Sequence, residues 1–383
     1  MRWFTLAVSF VMCVSVAAGM SPQQRVAETI EAMEIAIMAG DAGAYMARID
    51  SDDVYFVHEQ RAWVNDLSRN PVSKFSIEPL EELIVGITGR AGMMQVRMHW
   101  TLKADEVERS IEMNAIFYPM GDEPDGPWLF AGRGWGMKLE SDEGLRVRSD
   151  REHQELALSV LEIAPEIASR IEQDFGRTLS EALTIKIYPT MQALQFSIAP
   201  GYLDPLSGWN EPGESIKILG RDSMSVDRIS TLLAHEIGHA VSFEFGEDII
   251  NAPWWALEGI AELVADQYRS TPPEKRIVGV AQQVARGDRR SWDQLSDFKG
   301  EALNHTMYVY AQGWSMVRYI TGRFGRKARN QWFAAMGDGM DVDQATQHAF
   351  MMSFDDLDRA WEQEMLSIAE QADVDAAMEE VSP

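Results

Sequence analysis

The spacing of apolar residues predicts helices near the start of the chain. A helix is predicted from Pro22 to about Gly40, because apolar residues such as Val26 and Met33 recur on one helical face. A second, shorter helix is predicted over residues 41–50. The N-terminal part of the chain therefore opens with helices.

The pattern then changes to strands. Four segments are rich in Val, Ile, Phe and Trp and are separated by Gly, Pro and Asp, as is typical of strands and turns. They cover residues 74–89, 93–104, 110–121 and 127–140. Helices followed by antiparallel strands predict an α+β N-terminal domain over residues 22–147. Its arrangement resembles the curved-sheet cone of the NTF2-like families.

A polar, charged stretch over residues 140–155 predicts a seam, so a second domain is expected over residues 152–370. This domain alternates helices and short strands at first and reads as mostly helical from about Val226. Before that point we expect, in order, a helix, a strand, a Gly/Pro-rich loop and a short strand, over residues 153–176, 183–190, 201–214 and 215–220. An acidic tail, residues 371–383, lacks periodicity and is predicted to fray. The expected fold class is α+β in both domains.

The first twenty residues predict a secretory signal peptide. They combine one positive charge, an apolar run from Trp3 to Val16 and small residues around Ala18, where we expect cleavage. An uncleaved anchor is the alternative, although the run is short for a bilayer span. The protein is therefore expected to be exported, to a periplasm or out of the cell. No membrane insertion is expected after cleavage of residues 1–20.

The single cysteine, Cys13, lies inside this predicted signal. The mature protein is then expected to have no disulfide, no thiol nucleophile and no sulfur ligand. Any metal site must use nitrogen and oxygen atoms.

The charge balance argues against some partners. The chain has 34 Lys and Arg against 60 Asp and Glu, a net charge of −26. Nucleic acid and anionic membranes are poor partners for such a surface. Solubility is the simpler explanation for the charge.

The strongest chemical signal is the segment HEIGH. Residues four apart lie one turn apart on a helix, so His235 and His239 can reach one metal ion. Glu236, beside the first histidine, can then take a proton from activated water. Two core histidines are the alternative interpretation of this segment.

A catalytic zinc site needs a third protein ligand. Glu258 is a candidate because it lies in an apolar helical segment, where an unpaired carboxylate is costly to bury. Glu262 follows four residues later on the same face and can accept the free ring N–H of a ligating histidine. An ordinary solvated helix position remains the alternative for Glu262.

The two motifs together resemble the gluzincin metallopeptidases. Glu258 follows His239 after eighteen residues and lies in the segment WALEGIA, which matches the family's W-x-x-E-G-x-A pattern. The resemblance implies a thermolysin-like zincin domain with a mostly helical C-terminal lobe. It also implies one Zn²⁺ per chain, held by His235, His239 and Glu258, with Glu236 as general base.

The resemblance implies further residues. The family's Y-x-x-G segment matches Tyr310 and Gly313, so Tyr310 is expected to stabilise the oxyanion, with Tyr308 as the competing candidate. The family's edge strand along the substrate cleft would match residues 215–220. Glu211 lies where aminopeptidases bind the substrate amine, but the Met-Glu-Asn order is missing, which argues against an exopeptidase.

The sequence thus predicts zinc-dependent hydrolysis of peptide bonds in peptide or protein substrates. Two alternatives stay open: a zinc-containing binding or scaffold module without turnover, and an exported processing factor of narrow specificity. Retention of Glu236 favours catalysis, because a structural zinc site has no use for a base beside the metal.

Overall fold

The structure is a computed structural model that describes residues 20–121, 126–221, 224–298 and 300–381. The predicted signal peptide, apart from its last residue, and Cys13 lie outside these residues. The chain divides into two compact units, the first ending at Gly134 and the second beginning at Trp135. Within the described residues, no helix is long and apolar enough to cross a membrane.

The first unit places helices before an antiparallel sheet, as predicted. The helices are α1 (Pro22–Ala39), α2 (Ala42–Met46) and α3 (Val54–Asp66). The strands are β1 (Val72–Pro79), β2 (Ile84–Val85), β3 (Gly92–Leu102), β4 (Glu108–Pro119) and β5 (Trp128–Arg133). Their order is β1-β3-β4-β5, with β2 paired to one end of β3.

Local chemistry accounts for the helix ends in this unit. α1 begins at a capping box in which Ser21 and Gln24 bond each other's backbone N–H groups, and it ends at Gly40, which has φ 68°.

The sequence analysis missed α3, although Trp63 on this helix packs between Tyr45 and Phe75 at ring distances of 5.6 and 6.1 Å. These contacts hold the helices against the sheet.

The second unit begins earlier than predicted. Residues 127–140 form β5 and then β6 (Met137–Glu140), and these strands belong to different sheets. The polar stretch expected to be a seam contains β7 (Arg146–Ser149), which pairs with β6 and, in parallel, with β8 (Thr184–Tyr188). The boundary therefore lies between Gly134 and Trp135, not between residues 147 and 152.

The sheet of the second unit has the order β6-β7-β8-β10-β9, with β9 at Gly208–Trp209 and β10 at Ile216–Leu219. β10 is parallel to β8 and antiparallel to β9. The helices are α4 (Gln154–Phe175), α5 (Met191–Ile198), α6 (Val226–Ser242), α7 (Trp254–Ala265), α8 (Pro273–Ala285), α9 (Thr306–Gly337), α10 (Val342–Phe350) and α11 (Phe354–Val381). The expectation of a mostly helical C-terminal part is confirmed.

The predicted tail is helical. α11 continues to Val381 instead of fraying from residue 371. Alanine and glutamate are strong helix formers, and Gln371 bonds Asp375 one turn later at 2.8 Å. Intrinsic propensity thus extends a helix that the apolar pattern does not mark.

Candidate metal centre

Helix α6 presents HEIGH to a cleft because its opposite face is buried. Leu233, Ile237 and Val241 are fully buried in the core of the second unit. His235 and His239 lie one turn apart, and their Nε2 atoms are 3.2 Å from each other. The two ring nitrogens therefore converge on one point, as the spacing predicts.

Helix α7 crosses α6 closely and adds a carboxylate. A Cβ on Gly238 of α6 would lie 2.8 Å from Val264 and 3.2 Å from the Cα of Ala261, so glycine permits the approach. Glu258 Oε2 is 3.2 Å from Nε2 of His235 and 3.4 Å from Nε2 of His239. A tetrahedral zinc site with ligand distances of about 2.0–2.1 Å has edges of about 3.4 Å. The three atoms have the separations that such a site requires.

The environment of Glu258 also fits a cation. Its Oε1 accepts a hydrogen bond from Trp254 Nε1 at 2.8 Å, whereas its buried Oε2 has no hydrogen-bond donor in the described part of the chain. A buried carboxylate oxygen without a donor is costly. The atoms of His235, His239 and Glu258 form a group that could hold a metal ion. Nitrogen and oxygen donors in this geometry suit zinc.

Glu262 lies behind the first histidine. Its Oε1 is 3.2 Å from Nδ1 of His235, where it can accept the ring N–H and leave Nε2 with a lone pair. Glu262 also accepts hydrogen bonds from Arg269 at 2.6 Å and Arg276 at 2.7 Å. Arg276 pairs in turn with Asp266. The sequence analysis found Glu262 but not the two arginines. Arg269 follows α7 and Arg276 lies on α8, so neither shares a helical spacing pattern with Glu262.

In the metal-free protein, the charged groups of this cluster shift one another's pKa values. Burial lowers the pKa of His235, but the close Glu258 and Glu262 carboxylates and the charges of Glu258 and Glu236 outweigh it and hold that pKa well above 6.5. Burial raises the carboxyl pKa values, but the histidines hold the pKa of Glu258 well below its usual range. His235 and the arginines lower the pKa of Glu262 to about 2. Both carboxylates are thus ionised near neutral pH.

Glu236 lies beside the metal group but does not belong to it. Burial is the main cause that raises its pKa, with the neighbouring histidines opposing and Glu258 assisting. Its Oε1 lies directly against the backbone of Gly208, because a Cβ at that position would be only 2.2 Å away. A buried carboxylate with a raised pKa is suited to accepting and returning a proton.

Tyr310, on the first turns of α9, stacks on His235 with ring centroids 5.8 Å apart and planes at 20°. Burial, assisted by the charges of Glu258 and Glu236, raises its pKa well above 10, so its hydroxyl keeps its proton. Tyr308 lies elsewhere: its hydroxyl donates to Asp288 at 2.9 Å and its ring faces Arg290. Of the two tyrosines, the structure brings Tyr310 to the centre.

The edge strand differs from the expectation. Residues 215–220 were expected to form an edge strand along the cleft. The strand they contain, β10, lies inside the sheet, between β8 and β9, although its last residue, Leu219, does line the cleft. Among the described strands, β9 occupies this edge, and both of its residues line the cleft. β9 is only two residues long and lies in a Gly/Pro-rich segment, so the sequence predicts a loop there. Glu211 also lines the cleft.

The centre opens into a cleft of about 1810 Å³. Its lining includes β9 and the segment before it, parts of α6 and α7, residues 250–253, 269–271 and 296–298, and the start of α9. A cleft of this size has room for an extended peptide.

Comparison with known proteins gives one family. Residues 164–367, more than half of the chain, match the model described as Peptidase MA superfamily. The matched range contains every residue of the metal centre. No curated protein matches the chain.

Proposed function

Because this chain belongs to the Peptidase MA superfamily and is a zinc metallopeptidase, we propose that it hydrolyses peptide bonds with Glu236 as general base. The observation that carries the proposal is the convergence of three ligand atoms, 3.2–3.4 Å apart, beside a fourth group, the buried carboxylate of Glu236. A site that only binds metal has no need of that fourth group.

We assign one zinc ion per chain to His235, His239 and Glu258. When bound there, zinc supplies a Lewis acid that activates water and polarises the scissile carbonyl. Glu262 holds His235 in the tautomer whose Nε2 carries a lone pair. Trp254 fixes Glu258 through Oε1, which leaves Oε2 for the ion.

Glu236 moves the proton in this proposal. Its carboxylate accepts the proton of the attacking water and then gives it to the nitrogen of the leaving amine. Burial supports both steps, because it raises the pKa of Glu236 and so makes the carboxylate a better acceptor of the proton than an exposed glutamate.

Tyr310 is the proposed donor to the oxyanion. A hydroxyl that keeps its proton can donate a hydrogen bond to the charge that develops on the carbonyl oxygen. Its stacking on His235 supports this role, because it orients the ring at the edge of the metal group.

Finer features of fold and location belong to the same proposal. We propose a gluzincin, thermolysin-like fold for the catalytic domain, supported by the order of its two metal helices. An NTF2-like cone is proposed for the first unit, supported by helices before an antiparallel sheet. The pairing register of this sheet shifts between β1 and β3 and between β4 and β5, as is typical of bent strands. We also propose export to a periplasm or out of the cell, with residues 1–20 removed.

The test combines metal analysis with a mixed peptide library. We expect about one zinc per wild-type chain and zinc-dependent cleavage of peptides. Glu236→Gln should keep the metal and lose turnover by at least about 10³-fold, and Glu258→Ala should lose the metal. Zinc bound without cleavage of any peptide or protein substrate would favour a non-catalytic module, and equal turnover in Glu236→Gln would remove Glu236 as the base.

A further inference from the structure

Two groups of aromatic side chains are prominent in the second unit. One group is fully buried in the core and includes Trp255, Trp332 and Trp361. The other lines the cleft, and we call it the aromatic wall. It consists of Tyr202, Trp209, Trp254, Phe298 and Tyr310. Phe243 also lines the cleft but stacks on His239 and is not part of this wall.

The aromatic wall is continuous. Neighbouring rings touch in the order Tyr202, Trp209, Phe298, Trp254, Tyr310, with centroids 5.1, 6.0, 4.8 and 6.4 Å apart. Most of these pairs meet edge to face, the favourable arrangement for aromatic rings. The wall is therefore a fixed surface and not a set of independent side chains.

The wall reaches the reacting atoms at two points. Trp209 directly follows Gly208, whose backbone lies against Glu236. Trp254 donates a hydrogen bond to Glu258, one of the metal ligands. A substrate side chain that rests on Trp209 or Trp254 therefore lies close to Glu236 and Glu258.

The chemistry of the wall favours an apolar occupant. Tyr202, Trp209 and Phe298 are only half-buried, so their rings keep apolar surface toward the cleft. Covering that surface with another aromatic or large apolar group removes it from water and adds ring contacts. Asp204 and Asp297 also line the cleft, but they are exposed, and water and salt weaken their attraction for a cation.

Resting on the proposed function, we propose that the aromatic wall is the subsite that selects the substrate, by binding an aromatic or other large apolar side chain next to the scissile bond. The substrate class is then peptides with Phe, Tyr, Trp or Leu at one fixed position beside the cleaved bond. Trp209 and Phe298 are the residues that determine this preference.

The test compares matched peptides that differ only by Phe or Ala at the position defined by the library. In the wild type we expect kcat/KM to be at least about 10-fold higher for the Phe peptide. Trp209→Ala and Phe298→Ala should each reduce that ratio several-fold, whereas Trp209→Phe should keep it. Leu203→Ala is the control, because Leu203 is exposed and is not among the residues that line the cleft.

A binding measurement separates this inference from the proposed function. The same peptides are titrated into the zinc-loaded Glu236→Gln variant, where we expect tighter binding of the Phe peptide, lost when Trp209→Ala is added. Binding preference without wild-type turnover would overturn the peptidase proposal and support the subsite. Glu236-dependent turnover with no aromatic preference, or with a preference for Lys or Arg, would overturn the subsite.

Discussion

The two carboxylate oxygens of Glu258 have different partners. Trp254 occupies one carboxylate oxygen, and the other faces both histidine nitrogens. Trp254 precedes Glu258 by four residues, so both lie on one face of α7, and the bond is local to that helix. The carboxylate is therefore oriented before any metal binds.

Glu262 is expected to control metal affinity without touching the metal. Glu262→Gln removes the charge that holds His235 and that pairs with Arg269 and Arg276, which keep Asp266 as a partner. We expect zinc affinity to fall about 10–100-fold, measured by competition with a chelator. Glu274→Gln is the control, since Glu274 is exposed and lies 3.7 Å from Arg318. Equal affinities in the two variants would contradict the role given to Glu262.

Tyr310 and Tyr308 provide a matched pair on one helix. Tyr310→Phe should lower kcat about 10²–10³-fold, since it removes the proposed oxyanion donor, and leave zinc content unchanged. Tyr308→Phe removes only a hydroxyl that bonds Asp288 and should leave kcat as it is. Steady-state kinetics with metal analysis tests both. A larger loss in Tyr308→Phe would reverse the assignment.

At the scale of elements, β9 is the least predictable part of the site. Its Gly208 lies against Glu236 because no Cβ separates them. Gly208→Ala would push the flexible carboxylate aside at little cost in stability, so we expect most of the turnover to be lost while zinc and Tm are kept. Kinetics, metal content and thermal unfolding measured together test this, and unchanged turnover would show that the carboxylate has room to move.

A second glycine explains why α9 lies so close to α7. A Cβ on Gly313 would lie 2.2 Å from the carbonyl oxygen of Trp255, a backbone atom that cannot move aside. Gly313→Ala should destabilise the fold by about 1–3 kcal/mol, as overpacking does. Gly322→Ala, on the same helix with nothing within 4 Å, should be neutral or stabilise by about 0.5–1 kcal/mol. Urea unfolding of both variants is the measurement, and equal midpoints would contradict this packing argument.

The sequence predicts those elements whose signal is local. HEIGH and WALEGIA identify the two metal helices, because the ligand spacing within a helix follows from its period. β9 and α3 were missed, and α11 was drawn too short. β9 depends on pairing with β10, and α3 depends on packing against the sheet. The last turns of α11 depend on helix propensity without an apolar face. The partners of Glu262 could not be predicted, because Arg269 and Arg276 meet it only in the folded chain.

On the scale of the whole molecule, the chain combines a net negative charge with one group of side chains, His235, His239 and Glu258, that could hold a metal cation. The net charge of −26 raises the local concentration of cations near the protein, but it does not choose a site. The choice comes from three converging ligand atoms that only folding brings together. Metal binding should therefore stabilise the catalytic unit as a whole, since the unfolded chain has no such group.

This coupling predicts how stability depends on pH. In the metal-free protein the raised pKa of His235 means that its protonated form adds stability below about pH 6.5, and this stability is lost as the pH rises through the folded pKa. The lowered pKa values of Glu258 and Glu262 add stability above about pH 4.5 that is lost only at strongly acidic pH. The cluster alone is thus most stabilising between these limits.

Zinc must displace the proton of His235, so its apparent affinity should fall as the pH falls. At a fixed free zinc concentration, we expect the zinc-induced increase in Tm to be larger at pH 8 than at pH 6. The increase is larger at pH 8 because His235 loses its proton as the pH rises. The metal-free protein then loses the stability that this proton gives, and His235 becomes free to bind zinc. Thermal unfolding in zinc buffers at both pH values measures it, with Glu258→Ala, which lacks a ligand, as the control. An increase in Tm that is equal or larger at pH 6 would show that protonation of His235 does not oppose zinc binding.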